Sequence, residues 1–223
     1  MLFALTACGG EKAPSTITLS PNFGSVIGAV VTLKSNDGNK SKTYKQTAKG
    51  TAVIFNKVEV GSYTLTVEHK DYFPFTNNEI TVHTTVPGYT INVHMRGPAG
   101  GYVFYDKGNN SDGWQYLEAA PADTEFNAYW STAIQRCKEL NVSGISGWRL
   151  PTKDELDLMY ENLHKSGLGE FGKGNNSEAW MNWVYWSSSQ TNDSNAWDHG
   201  FYSGYQDNAN KNYPVRVRAC RAF

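Results

Sequence analysis

The residue types that could perform catalysis cluster in the second half of this 223-residue sequence. The serine run at 187–189 offers hydroxyl nucleophiles, but it lacks the glycine framing of a nucleophile elbow and has no histidine close by. The carboxylates of Glu155, Asp157 and Glu161 are better explained by helix capping and a solvated helix face. No phosphate-binding loop, CxxC or HExxH motif occurs. We therefore predict a protein that is not an enzyme and uses no cofactor.

Candidate metal ligands are scattered along the sequence. His69, His83 and His94 fall on three different predicted strands, which favours surface or edge histidines over a metal cluster. The oxygen-rich stretch 192–195 lacks the ligand spacing of a calcium loop. The sequence therefore predicts no metal site.

A polar and aromatic run at 196–214 is typical of a binding surface. Tyrosine provides a large contact area with few rotatable bonds, whereas asparagine, aspartate and serine supply adaptable hydrogen bonds. The alternative is that these residue types simply favour loops. Trp197 and Phe201, in the same run, are expected to be buried. We predict that the ligand-binding face consists of Asp198, His199, Tyr202, Ser203, Tyr205, Asp207, Asn208, Asn210, Asn212 and Tyr213.

Composition excludes several classes of protein. The 20 Lys and Arg balance 21 Asp and Glu, so the chain lacks the basic field of a nucleic-acid binder. No apolar run approaches the roughly 20 residues that a membrane-spanning helix needs. Three cysteines are too few for a disulfide-built scaffold.

Two domains are predicted, because all seven tryptophans lie beyond residue 113. Charge is also uneven: the first 97 residues carry nine Lys or Arg and six Asp or Glu, and the remainder carries eleven and fifteen. The Gly- and Pro-rich stretch 97–101 is the natural joint. We therefore expect a tether at 1–15, one domain at 16–97 and a second at 98–223.

The first domain is predicted to be a small β-sandwich. Residues 16–96 contain short β-branched and aromatic runs separated by turn residues, such as those at 36–38, with no helical periodicity. About seven such strands fit a Greek-key arrangement. The segments 50–55, 60–67 and 71–72 resemble carboxypeptidase-regulatory-like and related Ig-like surface modules, which implies a stalk or spacer.

The second domain is predicted to combine strands with two helices, which gives an α+β chain. Ser131 caps the first helix, whose apolar face carries Ala133, Ile134, Cys137 and Leu140. A capping box formed by Thr152 and Glu155 starts the second helix, and Gly167 suits a left-handed terminator after it. We expect a single final strand at 215–223 that returns beside the first strand of the domain.

Three ordered motifs, at 147–152, 185–189 and 215–223, resemble a C-type-lectin-like domain that is widespread in spirochaete surface lipoproteins. That domain is related to the fold of formylglycine-generating enzymes. The calcium-binding tripeptides of sugar-binding C-type lectins do not occur in the sequence. The resemblance therefore implies a lectin-like fold that binds a ligand without calcium.

The run at 196–214 is similar to the variable region of diversity-generating-retroelement proteins of the Treponema type. Randomised asparagine codons in that system never encode Lys, Gln, Glu, Met or Trp. Between residues 198 and 215 only Gln206 and Lys211 belong to that set. The resemblance makes these two, with Trp197, Phe201 and Gly204, fixed scaffold positions.

The lectin-like resemblance also implies a disulfide between Cys137 and Cys220, because many members bridge the first helix to the terminal strand. An oxidising compartment would favour that bridge. The alternative is that both cysteines are small buried hydrophobes.

The amino terminus resembles a bacterial lipobox at Leu5-Thr6-Ala7-Cys8, which implies lipid acylation of Cys8. The alternative is an ordinary buried strand with a chance cysteine. The apolar stretch is short and lacks a positive region, so we expect the start of the sequence to lie inside a longer signal peptide. Gly9 stands where an inner-membrane lipoprotein often has Asp, which favours the outer-membrane surface.

The sequence as a whole predicts a surface-displayed lipoprotein of the cell envelope. A β-sandwich spacer would lift a lectin-like domain that binds an unidentified protein or glycan on another cell or host surface. The membrane would be reached through the lipid anchor, and no nucleic acid would be bound. The alternatives are a cryptic enzyme of the formylglycine-generating-enzyme fold and a structural envelope lipoprotein without a specific ligand.

Overall fold

The computed structural model describes residues 12–37, 42–82, 88–172 and 180–223; the predicted lipidation site Cys8 and His83 lie outside these ranges. The chain divides into two compact units, Met1–Met95 and Arg96–Phe223. Within the described ranges they contain fifteen β-strands and two α-helices, which is an α+β composition. None of the helices in those ranges has the length and apolarity that crossing a membrane requires.

Most strands of the first unit alternate buried residues with more exposed ones, the period that a half-buried strand requires. It forms one three-stranded sheet of order β4-β1-β7 and one four-stranded sheet of order β3-β2-β5-β6. Buried side chains from both sheets, among them Ile17, Leu33 and Leu65, belong to one apolar cluster. The strands are β1 (Lys12–Pro21), β2 (Val30–Ser35), β3 (Thr43–Thr47), β4 (Ala52–Glu59), β5 (Gly61–Glu68), β6 (Phe75–Val82) and β7 (Tyr89–Val93).

The second unit places two helices between short strands. Two sheets form, one of order β15-β9-β8 and a larger one of order β10-β14-β11-β12-β13. Strand β13 is therefore one edge of the five-stranded sheet, and β10 is the other. The elements are β8 (Tyr102–Asp106), β9 (Tyr116–Ala119), β10 (Phe126–Ala128), α1 (Trp130–Glu139), α2 (Lys153–Asn162), β11 (Val184–Gln190), β12 (Asn195–Gly200), β13 (Tyr205–Asn210), β14 (Val215–Val217) and β15 (Cys220–Ala222).

The capping box predicted for the second helix is confirmed. The Thr152 hydroxyl accepts from the Glu155 backbone N–H at 3.2 Å, and the Glu155 carboxylate accepts from the Thr152 N–H at 2.8 Å. Gly167, with φ of +71°, ends the short 3-10 turn that follows α2. The cap predicted at Ser131 is wrong, because α1 begins at Trp130 and Tyr129 is its N-cap.

The single final strand predicted at 215–223 is also wrong. Strands β14 and β15 lie in different sheets, and β15 pairs with β9 rather than with β8. Arg218 lies between the two strands, at the point where the chain passes from one sheet to the other. Its side chain is buried, so its charged guanidinium needs hydrogen-bond acceptors inside the protein. Its guanidinium donates to the carbonyls of Ala120 and Gly169 at 2.7 and 2.5 Å.

The disulfide implied for Cys137 and Cys220 is not formed, and both side chains are buried free thiols. They pack in different apolar clusters, Cys137 with Ala133 and Trp148, and Cys220 with residues of α2 and β9. The alternative of two small buried hydrophobes therefore describes them. Burial raises the pKa of the Cys137 thiol to about 12 and raises that of Cys220 further still.

Candidate ligand-binding site

The predicted binding run folds into an antiparallel hairpin of β12 and β13. Gly204 closes the turn with φ of +75°, and its N–H donates to the Gly200 carbonyl at 2.8 Å. Residue pairs directly opposite each other on the two strands share a face of the sheet. Asp198 opposes Asp207 in this way, whereas His199 opposes Gln206 on the other face.

A pocket of about 650 Å³ lies against the hairpin. Eight of the ten predicted binding residues line it; His199 and Asn212 are not among the lining residues. Sequence reasoning missed the other four lining residues, which are Val184, Asn195, Gly200 and Ala209. Val184 lies on β11, directly opposite Gly200. The lining consists of Val184, Asn195, Asp198, Gly200, Tyr202, Ser203, Tyr205, Asp207, Asn208, Ala209, Asn210 and Tyr213.

Asp198 lies in the wall of this pocket and is buried, with only 6% of its surface exposed. Among the residues that the structure describes, no hydrogen-bond donor or cation partners its carboxylate. Burial, together with the facing charge of Asp207, raises the pKa of Asp198 from 3.8 to about 6. Glu118, the other buried carboxylate among the described residues of this unit, accepts backbone N–H groups from Ala99 and Gly101 at 3.1 and 2.8 Å.

Three tyrosines of the pocket lining are exposed as predicted. Tyr202, Tyr205 and Tyr213 keep 63%, 72% and 56% of their surface accessible. Gly200 makes room for one of these rings, because an added Cβ would lie 3.0 Å from a ring carbon of Tyr202. The pocket therefore combines aromatic faces with acidic and amide groups.

His199 does not belong to the exposed face, and its predicted role there is corrected. Strand alternation turns its ring away from the pocket, and it is 1% exposed. Its Nε2 lies 3.1 Å from the Asp157 carboxylate on α2, and it packs against the rings of Tyr160 and Phe201. Burial lowers the pKa of His199, although Asp157 opposes the effect.

The other members of the run stabilise the hairpin. Asn212 is exposed but lies outside the lining; its N–H donates to the side chain of Asn210 at 3.0 Å. Phe201 is buried as predicted, whereas Trp197 is half-buried with the Lys153 ammonium 3.5 Å from its ring centre. Lys211 donates to the Gln190 side chain at the end of β11 at 2.6 Å, and to the carbonyls of Asn192 and Asp193 in the loop that follows, both at 2.9 Å.

An ion network supports the sheet at its opposite edge. Glu125 accepts from Arg216 at 2.6 Å, from Arg218 at 2.8 Å and from the Tyr185 hydroxyl at 2.9 Å. Sequence reasoning missed this network, because Glu125 lies about 90 residues from the two arginines in sequence. No local pattern reports such a contact.

The serines and carboxylates considered for catalysis make structural contacts. The Ser187 hydroxyl donates to the Trp197 carbonyl at 2.8 Å, and the Ser189 hydroxyl accepts the Lys153 backbone N–H at 3.0 Å. Glu155 also forms a two-pronged ion pair with Arg149 at 2.5 and 2.6 Å. Across residues 12–37, 42–82, 88–172 and 180–223, no group of three or more potential ligands is arranged to hold a metal ion.

Fold and site together define the second unit as a two-helix α+β domain with an acidic, tyrosine-rich pocket at the edge of its larger sheet. The chain belongs to the Lcl C-terminal domain family: the model of that family matches residues 105–221. This match covers over half of the chain and includes every residue of the pocket lining. A comparison with curated proteins finds none that matches the chain.

Proposed function

We propose that the second unit is a C-type-lectin-like binding domain that holds its ligand in the hairpin pocket. The observation that carries this proposal is the convergence of eight predicted binding residues on one cavity of about 650 Å³. That volume lies within the range of ordinary ligand sites. Exposed tyrosines and amides around it supply both contact area and adaptable hydrogen bonds.

The division between fixed and variable positions supports diversification of this face by a retroelement. Each of the proposed fixed residues has a structural role within the domain. Phe201 is buried, Gly204 is in the left-handed region, and Lys211 holds the neighbouring loop. The Trp197 ring lies beneath the Lys153 ammonium, and the Gln206 side-chain amide donates to the Lys153 carbonyl at 3.5 Å. The proposed variable tyrosines instead project into solvent, where a change of residue leaves the core intact.

The first unit is proposed to be a β-sandwich spacer. Its two sheets share one apolar cluster, as the two inner faces of a sandwich do. We propose further that acylated Cys8 anchors the chain in the cell envelope, at the outer-membrane surface. The partner is then a protein or glycan on another cell or host surface.

Binding without catalysis is part of the proposal. An enzyme of the formylglycine-generating type uses a pair of reactive cysteines, whereas Cys137 and Cys220 are buried thiols with raised pKa values. Thiolate is the reactive form of cysteine, so these two are poor nucleophiles.

The test of the proposed function is a panel of purified glycans and cell-surface proteins probed with labelled full-length protein. Replacing Tyr202, Tyr205 and Tyr213 together by Ala is expected to abolish each positive signal with little change in melting temperature, because exposed substitutions alter stability by under about 0.5 kcal/mol each. Tyr129→Ala is the matched control, since Tyr129 is 54% exposed and outside the lining. Signals that survive the triple change would overturn the proposal.

The anchor has a separate test. The unaltered protein should partition into the detergent phase, and Cys8→Ser should release it in soluble form, because acyl chains supply the membrane affinity. Membrane association that is unchanged in the variant would contradict the lipid anchor and leave the binding proposal untouched.

A further inference from the structure

The pocket holds a facing pair of carboxylates that have no cationic partner among the described residues. Asp198 and Asp207 are directly opposed across the hairpin, where Cβ atoms are about 4.5–5.5 Å apart. Like charges in this position destabilise a sheet, so the pair works against folding. Departures of this kind from good folding chemistry are expected at functional sites.

Four other acidic groups of the second unit have partners. Glu125, Glu155 and Asp157 lie against arginine or histidine side chains, and buried Glu118 accepts backbone N–H groups. In contrast, the Asp198 carboxylate is unpartnered among the described residues although it is more than nine-tenths buried and faces the cavity.

No Lys, Arg or His occurs among the twelve described residues that line the pocket. Its two ionisable carboxylates therefore give the lining a formal charge of −2 when both are deprotonated. The exposed rings of Tyr202, Tyr205 and Tyr213 border the same space, and aromatic faces attract cations. Both features favour a positively charged occupant.

We propose that this pocket binds an organic cation: the guanidinium or ammonium group of an arginine or lysine side chain on a polypeptide partner. The inference rests on the proposed function, because it names the ligand class of the same pocket. A divalent metal fits less well, since calcium takes six to eight oxygens at short range and makes no use of aromatic walls. The cavity of about 650 Å³ is far larger than a metal ion and suits a long side chain.

The direct test is an NMR titration of isotope-labelled full-length protein with Nα-acetyl-arginine amide. Its neutral analogue, Nα-acetyl-citrulline amide, has nearly the same shape without the charge. The arginine probe is expected to shift amide resonances of β12, β13 and the intervening turn with a Kd of about 1 mM, as befits so small a ligand. Citrulline is expected to bind at least about tenfold more weakly.

Carboxylate variants locate the charge. Asp198→Asn and Asp207→Asn are each expected to weaken arginine binding about tenfold, which corresponds to one charge-assisted hydrogen bond. Asp207 is exposed, so its variant tests the charge of the pocket without changing a buried residue. Asp193→Asn is the matched control, because Asp193 is exposed and outside the lining.

Three outcomes would overturn the cation proposal. The first is that the arginine probe shifts no resonances at tens of millimolar, and the second is that the citrulline probe binds equally well. The third is that, in a parallel titration, calcium shifts the hairpin resonances and the arginine probe does not. The panel described above separates this failure from failure of the proposed function. If the triple tyrosine variant loses a panel ligand but neither Asp variant changes its binding, the proposal of a cationic ligand is refuted. The proposal of a binding pocket then still holds. Panel signals that survive the tyrosine changes would refute the pocket itself.

Discussion

Replacing Asp198 by Asn is expected to stabilise the second unit at neutral and alkaline pH. In the folded protein the ionised carboxylate is held in a buried wall and faces Asp207, which raises its pKa to about 6. The unfolded chain frees the same group, whose pKa returns to 3.8. The folded state therefore binds the proton more tightly, and the charge works against folding at high pH. An amide has the same shape without that charge.

The size of the effect follows from the two pKa values. Their difference corresponds to about 3 kcal/mol, and solvent at the open pocket reduces this to about 1–2 kcal/mol. The direction of the pH dependence follows from proton linkage. Because folding raises the pKa of Asp198, the contribution of Asp198 to the free energy of unfolding is greatest below about pH 4 and is lost as the pH rises through about 6. The gain from Asn should therefore be full at about pH 8 and nearly gone by about pH 3.5.

Urea unfolding followed by tryptophan fluorescence measures this gain, because all seven tryptophans lie in the second unit. Subtracting the free energy of unfolding of the wild type from that of the variant at each pH cancels the contributions of other titrating groups. His199 is one of them: burial lowers its pKa, so it withdraws stability as the pH falls. A gain that is the same at every pH, or a loss at about pH 8, would refute the description of Asp198 as a desolvated charge.

Three further predictions concern the scaffold. Gly204→Ala should destabilise the second unit by about 1–3 kcal/mol in thermal unfolding, because φ is +75° and the new Cβ would lie 2.7 Å from the Tyr160 hydroxyl oxygen; a neutral result would contradict this geometry. Glu125→Gln should remove about 3 kcal/mol or more, since two arginines lose their common carboxylate; a loss under 1 kcal/mol would show that the network is dispensable. Cys137 and Cys220 should both alkylate after unfolding without reductant, as mass spectrometry can show, and protection until reductant is added would restore the disulfide.

The parts of the fold that sequence predicted are those governed by local chemistry. The capping box at Thr152 and the positive φ of Gly167 follow from residues close in sequence. The prediction of a single final strand at 215–223 was wrong because the structure there depends on contacts with residues distant in sequence. Arg218 finds its acceptors on residues far away in sequence, and one apparent strand becomes two. Ser131 failed as a cap because α1 starts one residue before it, at Trp130, whose N–H donates to the Lys211 carbonyl at 3.1 Å.

The candidate site shows the same division. Residue types alone indicated the exposed tyrosines and amides of the pocket. They did not indicate that the run forms a hairpin, and alternation along β12 then places His199 on the inner face beside Asp157. A prediction of strands across 195–210 would have separated Asp198 from His199. The unpartnered state of Asp198 depends on neighbours that only the folded chain brings together.

The position of β13 at the sheet edge affects how this protein can evolve. Residues of β13 have a strand neighbour on one side only, so substitutions there disturb the ladder with β12 and no other. The Glu125 network that secures the sheet lies near β14, on the other side of β11. New chemistry can thus arise on β13 by point mutation at little risk to folding. The same open edge can also pair with extended segments of other chains, which would lead to aggregation. This hazard is limited because β13 is only six residues long and carries the charged Asp207.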